Sequence, residues 1–195
     1  MSRGVPAAAS SGFSASEMKV EPLFSEEQIR VRVEELARDV SRAFSAGTEG
    51  APPALALVLA NGALFFAADL LRKLDFPAEI EVVRVASYGA GTRSNGAPEI
   101  LGNVPAEKIR GRRVLVIDDV LDTGRTLEKI RRTALECGAA EVLSCVLLDK
   151  PSRRETAERA DFVGFPVGDV FVVGYGLDLG GAWRTLPFIG AVSAE

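Results

Sequence analysis

Three aspartates and a short polar loop stand together in the middle of this chain. Asp118 and Asp119 directly follow the apolar run 114–117, Asp122 comes next, and the segment 123–126 then leads into a helical pattern. A loop between a strand and a helix gathers backbone N–H groups and the positive end of the helix dipole, which suits a phosphate. The carboxyl end of a strand is where α/β sheets bind ligands, and paired carboxylates there can accept hydrogen bonds from sugar hydroxyls. The segment therefore predicts a site for a ribose 5-phosphate.

Each piece of this segment also has a purely structural interpretation. Asp118 and Asp119 alone are compatible with a solvated strand end, and residues 123–126 with an ordinary helix cap. The order of the whole segment, an apolar run, an acidic pair, two residues and Asp-Thr-Gly-x-Thr, is more specific. It also differs from the P-loop, which needs a Gly-rich stretch ending in Lys-Ser/Thr, and from the dinucleotide fingerprint Gly-x-Gly-x-x-Gly.

The composition excludes several classes of function. The 195 residues suffice for one domain with a substantial core, and 47% hydrophobic with 26% charged residues is ordinary for a globular protein. A net charge of −4 argues against a nucleic-acid partner. The chain contains no histidine, so histidine triads, histidine metal sites and imidazole acid–base chemistry are excluded, and carboxylates and lysines remain to move protons.

The cysteines and the apolar runs indicate a cytoplasmic protein without a membrane partner. Cys137 and Cys145 lack a CxxC partner, which favours buried thiols in a reducing compartment. No apolar run approaches the ~20 residues of a membrane span. Residues 1–22 are rich in Ala, Ser and Gly and lack the apolar core of a secretory signal. We expect them to form a disordered leader, with residues 23–195 as a single domain.

The hydrophobic patterns predict an α/β fold. A capping box at residues 25–28 opens a helix that runs to about residue 45. Further helices are expected over 63–74 and 126–137, and strands over 54–59, 80–85, 114–117, 142–148, 161–165 and 170–173. Repeated strand–loop–helix–strand units predict a central, mostly parallel sheet flanked by helices. Residues 87–103 form a long Gly-rich loop without a core stripe, and residues 152–160 are charged and expected to be exposed.

Separate segments along the chain together carry a family resemblance. They are Ala60-Asn61-Gly62, Ser87-Tyr88-Gly89, the central segment 117–126, Leu148-Asp149-Lys150-Pro151, and residues 171–178 (Phe-Val-Val-Gly-Tyr-Gly-Leu-Asp) with Arg184. From about residue 24 to 192 the chain resembles the hypoxanthine (or hypoxanthine–guanine) phosphoribosyltransferases of the type I phosphoribosyltransferase family. The resemblance implies the type I fold, with a small hood region and a mobile lid at residues 87–103.

The resemblance also implies the reaction. Hypoxanthine, or guanine, reacts with phosphoribosyl pyrophosphate (PRPP) to give the nucleoside 5′-monophosphate and pyrophosphate, with Mg²⁺ as cofactor. The implied partners are PRPP, a 6-oxopurine base and pyrophosphate, and the implied assembly is a homodimer or homotetramer. A xanthine-preferring enzyme stays open as an alternative. So does a nucleotide-sensing regulator of the same fold, although such a regulator would be expected to carry a basic surface or a DNA-binding domain.

Residue roles follow from the resemblance, position by position. Asp118 and Asp119 accept from the ribose hydroxyls, directly or through metal-bound water, and Asp122 accepts the proton at purine N7. Lys150 donates to the purine O6. The resemblance further implies substrate contacts for Asn61, Gly62, Ser87, Tyr88, Thr123, Gly124, Arg125, Thr126, Phe171, Val172 and Arg184, and Mg²⁺ binding for Asp178, Asp118 and Asp119.

Two positions depart from the family pattern. Where the family usually has Leu-Lys-Gly this chain has Ala60-Asn61-Gly62, and so lacks a cation near the expected pyrophosphate. Where the family usually has Glu-Asp it has Asp118-Asp119. The resemblance also implies a non-proline cis peptide bond between Ala60 and Asn61.

Overall fold

A central sheet and a small second sheet organise the described part of the chain. The computed structural model describes residues 18–45, 50–84, 101 and 104–194. The strands are β1 (Met18–Phe24), β2 (Ala54–Ala60), β3 (Ala78–Arg84), β4 (Arg113–Leu121), β5 (Glu141–Asp149), β6 (Phe162–Pro166), β7 (Val172–Val173) and β8 (Ile189–Ala194). The helices are α1 (Glu26–Ser45), α2 (Leu64–Leu71), α3 (Ala106–Ile109) and α4 (Arg125–Glu136).

The central sheet is parallel throughout and is buried on both faces. Its strand order is β3-β2-β4-β5-β6. Along β2 and β4, residues such as Val58 and Ile117 pack with α1 and α2, whereas Leu57 and Val116 pack with α4 on the opposite face. Burial on both faces explains why these strands read as continuous apolar runs. The predicted α/β class and type I architecture are confirmed.

Helix α1 begins where its sequence pattern placed it. The Ser25 N–H donates to Gln28 Oε1 at 2.8 Å, and the Gln28 N–H donates to Ser25 Oγ at 3.2 Å. This reciprocal pair is a capping box, and it satisfies N–H groups that a helix start otherwise leaves without partners. The buried side chains of α1, from Ile29 to Phe44, recur at helical spacing and cover the sheet. The predicted helix is therefore confirmed.

The second sheet, which forms the hood, corrects the expected boundary of the leader. It is antiparallel with the order β1-β8-β7, and β1 pairs with β8 from Met18↔Ala194 to Phe24↔Ile189. Residues 18–22 had been assigned to a disordered leader, and that boundary is wrong. The strand is held by a partner at the other end of the chain, so no local pattern revealed it, and β8 was missed for the same reason.

Several other boundaries shift by a few residues. The helix expected over 63–74 is Leu64–Leu71, and the strand expected over 170–173 is Val172–Val173. More importantly, β4 continues to Leu121, so Asp118 and Asp119 lie within the strand and not after it. The expected lid, with Ser87 and Tyr88, lies outside the described residues apart from Leu101, which is buried in the core. Within the described ranges, none of the helices has the length and apolar character to cross a membrane.

Candidate active site

Two carboxylates crowd the end of β4. Asp118 Oδ1 accepts from the Asp119 N–H at 2.9 Å, and Asp119 Oδ1 accepts from the Val120 N–H at 3.0 Å. Burial, and then the neighbouring charge of Asp119, raises the pKa of Asp118 well above its usual range. Hydroxyl donors or a cation placed here would relieve the repulsion between the two groups. The pair thus has the chemistry expected of a sugar or metal site.

The loop after β2 packs directly against this acidic pair. The peptide bond between Ala60 and Asn61 is cis, as the resemblance implied. A Cβ on Gly62 would overlap the carboxylate of Asp119, and a Cβ on Gly176, where φ is +100°, would overlap the carbonyl oxygen of Gly62. Glycine is therefore required at both positions by close approach. The contacts bring three segments that are distant in sequence to one edge of the central sheet.

The loop between β4 and α4 offers backbone donors to an anion. Gly124 adopts the left-handed conformation with φ +86°, and it precedes the first residue of α4. Within the described parts of the chain, the N–H groups of Thr123, Gly124 and Thr126 donate to no acceptor. The side chain of Arg125 lies in solvent and pairs with Glu155 at 2.5 Å. Donors without acceptors at the start of a helix are the features of a phosphate site.

Asp122 is engaged by an arginine that the sequence interpretation had not named. Arg153 Nε donates to Asp122 Oδ1 at 2.7 Å, and Arg153 Nη1 donates to Asp169 Oδ1 at 3.1 Å. These bonds link the loop after β4 to the segment that enters the hood. Asp122 Oδ2 has no protein partner among the described residues, so it is open to a ligand donor.

The expected base-binding residues meet at the end of β5. Lys150 is only 9% exposed, and its Nζ donates to the carbonyl of Val170 at 2.8 Å. Burial lowers the pKa of Lys150. Phe171 is 46% exposed and therefore is not a core aromatic, while Val172 is buried in β7. An open aromatic ring beside a buried ammonium can receive a flat, polar heterocycle.

Asp178 and Arg184 form a pair in the loop after β7. Arg184 Nη2 lies 2.6 Å from Asp178 Oδ1, and Arg184 Nη1 donates to the carbonyl of Gly176 at 2.5 Å. Asp178 Oδ2 accepts from the Gly181 N–H at 2.6 Å. Across the described residues, no three Cys, Asp or Glu side chains are arranged to hold a metal ion, so Asp118, Asp119 and Asp178 do not form one closed site. Their chemistry fits an ion that takes its other ligands from substrate and water.

Arg154 is the second functional candidate that the sequence interpretation missed. Residues 152–160 were expected to be exposed, but the Arg154 side chain is only 14% exposed and is paired with Asp149. Exposed and half-buried residues alternate in this segment, but the half-buried positions include the polar residues Arg154, Thr156 and Glu158. The sequence therefore shows no hydrophobic pattern that would predict their burial. Only the contacts with the loop after β4 reveal the role of this arginine.

Comparison with known proteins places this chain in a family. The sequence model described as Phosphoribosyl transferase domain matches residues 20–179. The chain is 41% identical over 169 residues to the hypoxanthine-guanine phosphoribosyltransferase of Aquifex aeolicus, covering 87% of this chain and 92% of that protein. It is 38% identical over 175 residues to the hypoxanthine phosphoribosyltransferase of Salmonella typhimurium, with coverage of 89% and 95%.

A solved structure agrees with these relatives. The hypoxanthine phosphoribosyl transferase of Trypanosoma cruzi, studied for the role of its C-terminal region in oligomeric state and enzymatic activity, superposes with a TM-score of 0.77 at 31% identity. The match covers 89% of this chain and 91% of that one. The chain therefore belongs to the phosphoribosyl transferase family. Within it, the similarity is to the hypoxanthine and hypoxanthine–guanine branch, as the sequence motifs had indicated.

Proposed function

We propose that this protein is a purine salvage enzyme, a hypoxanthine phosphoribosyltransferase that transfers the phosphoribosyl group of PRPP to hypoxanthine and to guanine. One observation carries the proposal. The phosphate loop (residues 122–126), the acidic pair Asp118–Asp119 and the buried Lys150 lie at the carboxyl ends of the neighbouring strands β4 and β5. This shared edge of the sheet supports neighbouring sites for a 5-phosphate, a ribose and a 6-oxopurine, the three parts of a purine nucleotide.

The phosphoribosyl half of the substrate binds along β4. The N–H groups of Thr123, Gly124 and Thr126 receive the 5-phosphate at the start of α4, with Arg125 beside them. Asp118 and Asp119 accept from the ribose hydroxyls, which removes the mutual repulsion of the two carboxylates. The sugar acquires oxocarbenium character as the bond to pyrophosphate breaks, and nearby carboxylates stabilise that positive charge.

The base binds between Lys150 and Phe171. The Lys150 ammonium donates to the purine O6, and the exposed ring of Phe171 stacks on the heterocycle, with Val172 supplying backbone contacts. Asp122 accepts the N7 proton through Oδ2, while Arg153 holds Oδ1. A hydrogen-bond donor at this position pairs with a 6-oxo group, which is an acceptor. A 6-amino group would present a second donor to it, so adenine is rejected.

The pyrophosphate binds beside the loop of Asn61 and Gly62. Arg184 and the backbone N–H groups of that loop neutralise it. Asp178, Asp118 and Asp119 would hold Mg²⁺, and when bound the ion supplies positive charge to the departing pyrophosphate. Arg184 Nη2 lies 2.6 Å from Asp178 Oδ1, so a cationic and an anionic side chain stand next to each other. This arrangement supports the binding of Mg²⁺ and pyrophosphate side by side.

The setting of the enzyme completes the proposal. We expect a cytoplasmic homodimer or homotetramer, with PRPP, the base and pyrophosphate as its partners and with no nucleic-acid or membrane partner. The exposed apolar side chains of Leu64, Phe65, Ile80 and Val82, between 40% and 55% accessible, support self-association. The alternatives, a xanthine-preferring enzyme and a nucleotide-sensing regulator, have no separate observation in their favour.

A substrate panel tests the function. Purified protein with Mg²⁺ and PRPP is offered hypoxanthine, guanine, xanthine, adenine and orotate, and nucleotide formation is followed spectroscopically. We expect turnover of hypoxanthine and guanine and at least about 10³-fold discrimination against adenine. Adenine or orotate as the best substrate would contradict the assignment of Lys150. PRPP binding without turnover of any base would instead support the regulator.

A further inference from the structure

Three consecutive carbonyl groups where β4 runs into the phosphate loop, those of residues 121–123, are held by one neighbouring segment. The carbonyl of Leu121 accepts from the Lys150 N–H at 3.0 Å, and that of Thr123 accepts from the Glu155 N–H at 2.9 Å. Between them, the carbonyl of Asp122 accepts from Arg154 Nε at 3.0 Å. Three consecutive carbonyls therefore point to residues 150–155. Because a carbonyl oxygen repels an anion, this arrangement leaves the N–H groups of the loop to the phosphate.

Arg154 supplies the side-chain part of this arrangement. Its Nη2 donates to the carbonyl of Leu121 at 3.2 Å as well as to the carboxylate of Asp149, and its Nη1 donates to the carbonyl of Glu158 at 2.6 Å. With the bond to Asp122, these contacts use most of the donors of a guanidinium. Arg154 is thus directed at the back of the loop and not at the phosphate.

The packing of the loop gives independent support. A Cβ on Gly124 would overlap Thr156 Oγ1 and would approach Arg154 Cδ to 2.8 Å. The stem of Arg154 therefore fills the space directly behind the residue whose left-handed conformation turns the chain into α4. Backbone hydrogen bonds, the guanidinium and this close contact all act on residues 121–124.

We propose that Arg154 is a positioning residue that presets the phosphate loop for the 5-phosphate of PRPP. The proposal rests on the proposed function and adds a residue to it. Arg154 holds the carbonyls of Leu121 and Asp122 away from the anion, and Asp149 balances its charge in the half-buried setting. Without these hydrogen bonds from Arg154, the loop must be ordered when PRPP binds, and that entropic cost weakens the binding of PRPP.

The test compares the KM values for PRPP and for hypoxanthine between Arg154→Gln and the wild type. Arg159→Gln is the matched control. Arg159 is an exposed arginine a few residues further along the chain, so its substitution makes the same change of charge without touching the loop. We expect Arg154→Gln to raise the KM for PRPP on the order of tenfold, since it loses several hydrogen bonds to carbonyls. The KM for hypoxanthine should change less than about threefold, and Arg159→Gln should resemble the wild type.

Arg154→Lys separates the effect of the guanidinium hydrogen bonds from the effect of the positive charge. A lysine keeps the positive charge but cannot bond two carbonyls in a fixed fork, so its KM for PRPP should also be raised. Full recovery in Arg154→Lys would show that charge alone matters and would overturn the proposal. An unchanged KM for PRPP in folded Arg154→Gln would overturn it too, as would a proportional rise in both KM values. If Arg154→Gln does not fold, the lysine variant decides by the same criteria.

A binding measurement keeps this test separate from that of the function. Calorimetry compares inosine 5′-monophosphate with inosine, so the difference in affinity reports the contribution of the 5-phosphate. We expect that difference to shrink in Arg154→Gln and to persist in Arg159→Gln. An undiminished difference in Arg154→Gln would overturn the proposal. A wild type that binds the nucleotide but turns over no base would overturn the function and leave the role of Arg154 intact.

Discussion

The phosphate half and the base half of the site are built in different ways. The phosphate half, residues 118–126, is one continuous stretch of strand, loop and helix, and its backbone is braced by residues 150–155. The base half combines Lys150 at the end of β5 with residues 170–172 at the entrance to the hood. Its described link is a single hydrogen bond, from Lys150 Nζ to the carbonyl of Val170, beside the exposed ring of Phe171.

The difference separates a preset part of the site from an adaptable one. Hydrogen bonds from residues 150–155 and close contacts at glycines fix the phosphate half, so it can bind the same phosphoribosyl group whichever base is used. The base half has few constraints, and it can adjust to purines that differ at their 2-position. Apart from Asp122, whose carboxylate faces the base, we therefore expect substitutions in the phosphate half to act on PRPP and those in the base half to act on the choice of base.

The largest effect is expected where the two halves meet, at Asp122. Asp122→Asn preserves the shape of the side chain but removes the proton acceptor, so kcat should fall by about 10²–10⁴-fold with little change in PRPP binding. Single-turnover kinetics measure the fall. Asp169→Asn is the control, because it removes the other carboxylate that Arg153 contacts and should change kcat less than about threefold. An unchanged kcat in Asp122→Asn would reduce Asp122 to a loop-capping residue.

The next effect tests the base half through Lys150. Lys150→Met keeps much of the length but removes the O6 donor, so the preference for hypoxanthine over adenine should fall by roughly tenfold to a hundredfold. The KM for PRPP should stay near that of the wild type. Ratios of kcat/KM for the two bases measure the preference, with Lys129→Met as the control on the exposed face of α4. A preference that survives the loss of Lys150 would assign base selection elsewhere.

A smaller effect tests how rigid the phosphate half is. In Gly124→Ala the new Cβ overlaps Thr156 Oγ1 at a residue whose φ is +86°, so the loop must distort. At a cost of about 1–3 kcal/mol for such a conformation, the KM for PRPP should rise roughly tenfold or more. Gly168→Ala is the matched control, because a Cβ there meets nothing within 4 Å. Equal KM values for the two variants would mean that the loop is not preset.

The smallest effect concerns the position where the chain departs from its family. Asn61 is exposed, and Asn61→Lys places a positive charge beside the expected pyrophosphate. Its KM for PRPP should fall by a few-fold, because solvent screens a charge at such a position. Asn61→Gln is the uncharged control and should not share the gain, and added salt should reduce the gain in the lysine variant. A raised KM in Asn61→Lys would contradict this view of the loop.

Contiguity explains which parts of the fold and site could be predicted. The central strands, α1 with its capping box, and the segment 118–126 depend on neighbouring residues, so their patterns are visible in the sequence. Strands β1 and β8 depend on each other across the whole chain, and residues 18–22 were accordingly misassigned. The cis bond at Ala60 and Asn61 was anticipated from the resemblance alone, since residue spacing contains no sign of it.

The sequence by itself determined the chemistry of this protein. It contained the acidic pair, the phosphate loop and the lysine after β5, and the family resemblance that these segments carry implied the class of reaction. Only the tertiary structure decided which groups support that chemistry. Arg153 and Arg154 are adjacent in a charged, unpatterned segment, yet one contacts the side chain of Asp122 and the other its carbonyl. The reason is physical: side-chain chemistry is local to a residue, whereas the direction of a hydrogen bond depends on segments that meet only in the folded chain.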